Sequence, residues 1–99
     1  MSNRNVSEPR ADRIAELVAV ITSLDSTDLA SLFLKDLCTR SELEALGQRW
    51  EVAQLVDQQV PYLEIARRTG ASTATVTRVA QWVRHGEGGY RAILDRSQV

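Results

Sequence analysis

The chain has 99 residues, of which 43% are hydrophobic and 25% are charged, and its formal net charge is −1. A chain of this length forms one domain with a modest core, which a partner subunit covering further apolar surface would stabilise. The composition excludes a largely disordered protein, and the lack of any run of about 18 apolar residues excludes a membrane-spanning helix.

The N-terminal residues 1–10 are polar and are predicted to form a flexible arm before a single domain over residues 11–99. Because this arm has no apolar segment typical of a signal peptide, we expect a cytoplasmic protein. The single cysteine, Cys38, cannot form an internal disulfide, which fits a reducing compartment. We expect Cys38 to be a small, buried apolar residue.

The N-terminal third of the chain has the pattern of amphipathic helices, and strand-like alternation is absent throughout, which predicts an all-α protein. One helix is predicted over Ala11–Leu24, and a second begins at Ser26 or Thr27, either of which can cap it. Their apolar residues recur at spacings of three and four: Ile14, Leu17, Val18, Ile21 and Leu24, then Leu29, Leu32, Phe33 and Leu37. Both stripes have to be buried against another surface.

A third helix is predicted to begin at the capping-box sequence Thr39-Arg40-Ser41-Glu42 and to run to about Gln58. The residues expected on its inward face are Leu43, Leu46, Trp50, Ala53 and either Leu55 or Val56. Pro61 fits the first turn of a fourth helix, because a helix start does not use the N–H group that proline lacks. Near the C-terminus, glycines between Gly86 and Gly89 predict a break before a short closing helix, Tyr90–Leu94.

Between Tyr62 and Arg84 the sequence predicts two short helices joined by a tight turn at Thr69-Gly70-Ala71, with Ser72 as the N-cap of the second helix. The residues expected to pack these helices on the core are Ile65, Ala66, Val76 and Val79. A small residue, a glycine four positions later, and aliphatic residues six and nine positions after that glycine are the spacings of a DNA-binding helix-turn-helix.

The outer surface of this motif carries candidate DNA contacts. The residues expected to face base edges are Ser72, Thr73, Ala74 and Thr77. The residues expected to contact phosphates are Tyr62, Arg67, Arg68, Arg78 and Arg84. From Gln58 to Gly86 four arginines stand against the single acid Glu64, a local charge of +3 that favours a nucleic-acid partner. The alternative is a protein-protein adaptor that uses the same hairpin without DNA, its arginines forming a solvated face.

Two sequence elements are similar to those of a known family. They are Leu37-Cys38-Thr39-Arg40-Ser41-Glu42-Leu43-Glu44-Ala45-Leu46-Gly47-Gln48-Arg49 and Gly70-Ala71-Ser72-Thr73-Ala74-Thr75-Val76-Thr77-Arg78. The first resembles the Thr-x-x-Glu-x-Glu-Ala-Leu-Gly-x-Arg element of the Trp repressor family, and the second resembles its Gly-Ala-x-x-Ala-Thr-Ile-Thr-Arg element. The resemblance implies an intertwined, all-helical homodimer whose N-terminal helices wrap the partner subunit. It also implies a transcriptional repressor that binds double-stranded DNA.

The resemblance further implies a candidate effector pocket. In the Trp repressor, tryptophan is held as corepressor by two arginines and a threonine, whose counterparts here are Arg49, Arg78 and Thr39. Paired guanidinium groups can bind a carboxylate through charge-assisted hydrogen bonds. The alternative that we favour is that Arg49 pairs with an acid such as Glu51 or Asp57, and that Arg78 contacts a phosphate.

The sequence departs from the family pattern beside this pocket. Val79 and the bulky Trp82 stand where the repressor has a glycine and a serine, so the Trp82 indole could fill the volume that a free indole ligand needs. The segment between the two elements is also one residue shorter, which makes the contacts of Tyr62, Leu63 and Arg67 harder to assign. We therefore expect no obligatory cofactor, and leave open whether tryptophan or another small-molecule corepressor acts.

An enzyme is not indicated by the residues present. The lone histidine, His85, has no nucleophile partner in a recognisable motif, and neither metal-ligand spacing nor a distinctive carboxylate pair occurs. The sequence therefore predicts a non-enzymatic regulator whose partners are double-stranded DNA and a second copy of the chain, with no membrane partner.

Overall fold

The computed structural model describes residues 9–97, and this part of the chain consists of helices without strands. The helices are α1 (Pro9–Ser23), α2 (Thr27–Leu37), α3 (Arg40–Asp57), α4 (Tyr62–Thr69), α5 (Thr73–His85) and α6 (Gly89–Ser97). The predicted all-α class is confirmed. Of the predicted arm, residues 1–8 lie outside the described residues, while Pro9 and Arg10 belong to the first turn of α1.

Backbone contacts divide the chain into two compact units after Thr39. The first unit contains α1 and α2, and the second contains α3 to α6. Burial follows the same division, because every buried hydrophobic residue belongs to the second unit within the described part of the chain.

The first unit has well-formed helices whose apolar stripes are exposed. Ser26 caps α2, its Oγ accepting the Leu29 N–H at 3.0 Å, as one of the two predicted caps. The large apolar residues left exposed on the two helices are Ile14, Val18, Val20, Ile21, Leu29, Leu32 and Leu37. The expectation that Cys38 is buried is wrong: it is the half-buried C-cap of α2, because the chain leaves the helix there.

The core of the second unit lies where α3 crosses α4 and α5. Its buried residues are Val52, Ala53, Leu55 and Val56 on α3, Ile65 on α4, Ala71 in the turn, Val76, Val79, Ala80 and Val83 on α5, and Leu94 on α6. Two expectations for α3 are corrected. Leu46, expected inward, is 43% exposed, and Val52, which is not among the residues predicted to face inward, is fully buried. The helices that cover α3 lie against its C-terminal half, so the apolar residues of its first turns are not covered within this unit.

The C-terminal helix closes the second unit. Leu94 of α6 is buried, and the Tyr90 ring stacks on Trp50 of α3 with centroids 6.4 Å apart and planes 7° apart. Arg91 Nη2 lies 2.9 Å from Asp57 Oδ1, which ties α6 to the end of α3. The predicted glycine break and closing helix are confirmed, although α6 is longer than Tyr90–Leu94.

The glycine that ends α5 is required by a close approach. A Cβ on Gly86 would lie 2.5 Å from the carbonyl oxygen of Trp82, which also accepts the Gly86 N–H at 2.9 Å. Any side chain at this position would collide with backbone, so the chain can leave α5 along this path only with glycine.

Candidate nucleic-acid interface

The turn between α4 and α5 has the geometry that the sequence predicts. Gly70 ends α4 in the left-handed region, with φ at 77°, and its N–H donates to the Ala66 carbonyl at 2.9 Å. The Thr69 hydroxyl donates to the Ile65 carbonyl at 2.8 Å and accepts the Ala71 N–H at 3.1 Å. Because both sides of the turn are hydrogen bonded to one side chain, the entry to α5 is well defined. One difference is at the start of α4, where Pro61 is the N-cap and the helix begins at Tyr62.

The first turn of α5 is capped by a side-chain hydrogen bond, and its outer face is exposed. Ser72 Oγ accepts the Thr75 N–H at 3.1 Å, which confirms the predicted N-cap. Val76 and Val79 are fully buried, as predicted. The four predicted base-facing residues, Ser72, Thr73, Ala74 and Thr77, are all exposed. Since residues three and four positions apart share a helix face, Thr77 lies beside both Ala74 and Thr73, and the three form one short, exposed surface.

Two of the predicted phosphate contacts come together at one end of the motif. The Arg84 guanidinium carbon lies 6.0 Å from the centroid of the Tyr62 ring, within the range of a cation–π contact. This contact joins the N-terminus of α4 to the last turn of α5. Arg68 and Arg78 are exposed on their helices.

Arg67 forms an ion pair with Glu64, which the sequence analysis counts only toward the local charge. Its Nε donates to Glu64 Oε1 at 3.0 Å, and Nη2 donates to Glu64 Oε2, a two-pronged pair on the surface of α4. The hydrogen bond from Arg67 holds the pKa of Glu64 below its ordinary value, and the same bond raises the pKa of Arg67. The spacing of three residues within a helix was a signal that could have identified this pair. Arg67 therefore has an internal competitor for any phosphate.

Of the residues of the candidate effector pocket, Trp82 lines a cavity of the second unit. A cavity of about 460 Å³ at the end of α5 is lined by Trp82, His85, Gly86, Glu87, Gly89 and Tyr90. Arg49, half-buried on α3, and the exposed Arg78 are not among its lining residues. Asp57, one expected partner of Arg49, instead pairs with Arg91. Thr39 is the last residue of the first unit.

A second, shallower concavity of about 410 Å³ lies on the same unit and is lined by Trp50, Gly89, Tyr90 and Ile93. Ile93, on α6, is 43% exposed. Trp82, on α5, is 44% exposed. The aromatic residues therefore present a partly uncovered apolar surface at the α3–α6 side of this unit.

The described residues form neither a metal-binding cluster nor a membrane-spanning helix. In the range 9–97, no group of three or more His, Cys, Asp or Glu side chains is placed to hold a metal ion. None of the helices in that range has the length and apolar character needed to cross a bilayer.

Comparison with known proteins places these features in a family. The family model described as Trp repressor protein matches residues 12–98. The uncharacterized protein YerC of Bacillus subtilis (strain 168) is 36% identical over 91 residues, which cover 92% of this chain and 88% of that protein.

Solved structures agree with the sequence match. The TrpR like protein from Eubacterium eligens ATCC 27750 superposes with a TM-score of 0.85 at 37% identity, covering 96% of this chain and 97% of that one. A crystal structure of a Staphylococcus aureus protein gives a TM-score of 0.84 at 34% identity, covering 98% of this chain and 97% of that one. The resemblance seen in the two sequence elements thus extends over nearly the whole chain. The chain belongs to the Trp repressor family, a family of helix-turn-helix DNA-binding regulators.

Proposed function

We propose that this protein is a sequence-specific transcriptional repressor that binds double-stranded DNA as a homodimer, with α5 of each subunit as the recognition helix. The observation that carries the proposal is the construction of the α5 N-terminus. Its inner side is fixed by the Ser72 cap and by the buried Val76 and Val79, while its outer side presents Thr73 and Thr77. A rigid helix start with an open, short-chain polar face suits insertion into the major groove.

The exposed face of α5 determines what kind of base contact is available. The methyl group of Ala74 can pack on a thymine methyl, and the hydroxyls of Ser72, Thr73 and Thr77 can donate to or accept from base edges, directly or through water. These side chains are short, so the helix has to lie deep in the groove. Direct readout by such groups is weaker than a bidentate arginine or asparagine contact, and water-mediated contacts supply part of the specificity.

The phosphate contacts come from the arginines on both helices. Arg78 follows Thr77 directly on α5, and Arg68 lies at the end of α4. Arg84 with Tyr62 supplies a further cationic group at the far end of the motif. Contacts of this kind position the protein on DNA and make its affinity fall with salt, because bound counterions are released.

The homodimer is supported by the exposed apolar stripes of α1 and α2. Ile14 and Leu32 are each 62% exposed and Val18 is 56% exposed, although each belongs to a regular amphipathic pattern. Burying an aliphatic side chain of this size contributes about 1.5–3 kcal/mol, so covering several of them is a substantial driving force for association. In the dimer, residues 11–99 act as one domain that combines dimerisation with DNA binding, and we place the protein in the cytoplasm.

Tryptophan is not required for DNA binding in this proposal. The cavity beside Trp82 is lined by both Glu87 and His85, and by neither Arg49 nor Arg78. That cavity therefore lacks the paired guanidinium groups that would bind the carboxylate of an amino acid. A different effector remains compatible with the proposal.

The test is a binding titration of the purified protein against a pool of random-sequence duplexes at two salt concentrations, with and without tryptophan. We expect enrichment of a near-palindromic site whose half-site centres lie about 34 Å apart, with affinity that falls steeply with salt and is unchanged by tryptophan. Failure to retain any duplex at low salt would contradict the proposal. Retention only with tryptophan would contradict the effector-independent part.

The second candidate function is a protein-protein adaptor, and one observation favours it. Leu63, on the outer side of α4, is 77% exposed, the largest exposed fraction among the exposed large apolar residues of the described chain. An apolar contact through α4 would lose little affinity as salt rises, whereas phosphate binding loses much. The salt series therefore distinguishes the two functions.

A further inference from the structure

The carbonyl group of Thr69 occupies a special position in the turn. Thr69 is the last residue of α4, and the final carbonyls of a helix have no partner within that helix. The side chain of Thr69 already bonds to Ile65 and Ala71 on the two sides of the turn. The carbonyl oxygen is thus a group through which another element can hold this turn.

Gln48 of α3 supplies that partner. Its Nε2 donates to the Thr69 carbonyl oxygen at 3.2 Å, a bond between residues 21 positions apart. The same Nε2 would lie 4.0 Å from a Cβ built on Gly70, so the amide group lies alongside the turn. Gln48 is one helical turn before Val52, which is fully buried, so the bond lies at the edge of the core.

This bond differs in kind from the packing around it. The contacts of Val52 with the core are apolar and have little directional preference, whereas a hydrogen bond to a carbonyl restricts both distance and angle. Apolar packing therefore holds α4 and α5 against α3, and the amide fixes where the turn lies along α3. Helix α5 begins at Thr73, four residues after Thr69.

We propose that Gln48 is a positioning residue that sets the depth and direction of the α5 N-terminus through the Thr69 carbonyl. The consequence for DNA rests on the proposed function: base contacts from Thr73, Ala74 and Thr77 need a defined helix position, whereas phosphate contacts from long arginine side chains tolerate a small shift. Loss of the amide donor therefore reduces specific affinity while leaving non-specific affinity intact.

The test compares Gln48→Met with Gln54→Met in the full chain. Methionine has a similar unbranched shape and a high helix propensity but no N–H donor. Gln54 is the matched control because its Nε2 also donates to a backbone carbonyl, that of Trp50 at 3.4 Å, but within α3 itself. For each protein, affinity is measured for the selected site and for a random duplex, together with the hydrogen-exchange rate of the Ala71 amide.

We expect Gln48→Met to weaken binding to the selected site by about fivefold, the equivalent of one hydrogen bond, with random-duplex affinity unchanged and Ala71 exchange faster. Gln54→Met should match the wild type in all three measurements. An equal loss on both duplexes, or wild-type behaviour of Gln48→Met, would overturn the proposal. If the wild-type protein binds no duplex, the DNA function fails by itself. Ala71 exchange then decides the role of Gln48: faster exchange in Gln48→Met alone supports the tether, and unchanged exchange overturns it.

Discussion

The two units of this chain satisfy their apolar residues in different ways. In the second unit, residues on α3, α4 and α5 bury one another, and Ile65, Val76 and Val79 are fully buried. In the first unit, α1 and α2 have equally regular apolar stripes, yet residues such as Ile14 and Leu32 are 62% exposed. Amphipathic periodicity therefore predicts a helix and its apolar face, whereas it does not identify the surface that covers the face.

The largest expected effect is on the core of the second unit. Replacing Ile65 with Ala should lower the free energy of unfolding by about 2–5 kcal/mol, because it leaves a cavity between α4 and α3. The matched control is Leu63→Ala on the same helix, since Leu63 is 77% exposed. That control should change the free energy of unfolding by less than about 0.5 kcal/mol. Chemical denaturation measures both, and equal losses would contradict the assigned core.

The next effect concerns the stripe of the first unit. Ile21→Asp should weaken dimerisation at least about tenfold, because it places a charge on an apolar surface that the partner covers. Ala19→Asp is the control, as residue 19 lies on the opposite side of α1 and is exposed. Analytical ultracentrifugation over a concentration series gives both constants. Similar dimer affinity for the two variants would show that the stripe is not the interface.

A smaller effect is expected at the cap of α5. Ser72→Ala should reduce stability by about 1 kcal/mol, because the Thr75 N–H loses its acceptor. Ser72→Asp retains an acceptor and should recover most of that loss. Thermal unfolding of the three proteins is sufficient. If Ser72→Asp were as unstable as Ser72→Ala, the hydrogen bond would not be the source of the effect.

The smallest effect is the pH dependence of the Glu64–Arg67 pair. The pKa of Glu64 is lower in the folded chain than its ordinary value of 4.5, so the pair contributes stability above that value and loses it as pH falls through the folded pKa. Exposed pairs contribute little, so only a slight difference is expected. Stability curves of the wild type and Glu64→Gln should converge in acid and separate towards neutral pH. Parallel curves would contradict the role of the pair.

The helix-turn-helix was predictable because its signals are local. Gly70 and Ser72 mark the turn and the cap by residue type, and Val76 and Val79 follow at helical spacing. The pair between Glu64 and Arg67 was equally local, and its three-residue spacing would have revealed it. Because these features involve residues only a few positions apart, they can be predicted without knowing how the helices pack.

Other features depend on how the helices are arranged. Helix α3 has apolar residues on several sides, so the choice of Val52 over Leu46 as a buried residue is made by where α4 and α5 cross it. The bond from Gln48 to Thr69 joins residues 21 positions apart, and no sequence spacing indicates it. The effector residues were inferred from resemblance alone, and Arg49 and Arg78 do not line the cavity beside Trp82.

The most direct test of DNA recognition by α5 compares Thr77→Ala with Arg78→Ala on the selected site and on random duplex over a salt series. We expect Arg78→Ala to weaken binding to both duplexes by a similar factor and to lower the salt slope by about 0.9, the contribution of one phosphate contact. Thr77→Ala should weaken the selected site alone and relax its sequence. Equal losses on both duplexes for both variants, or no salt dependence in the wild type, would contradict recognition by this helix.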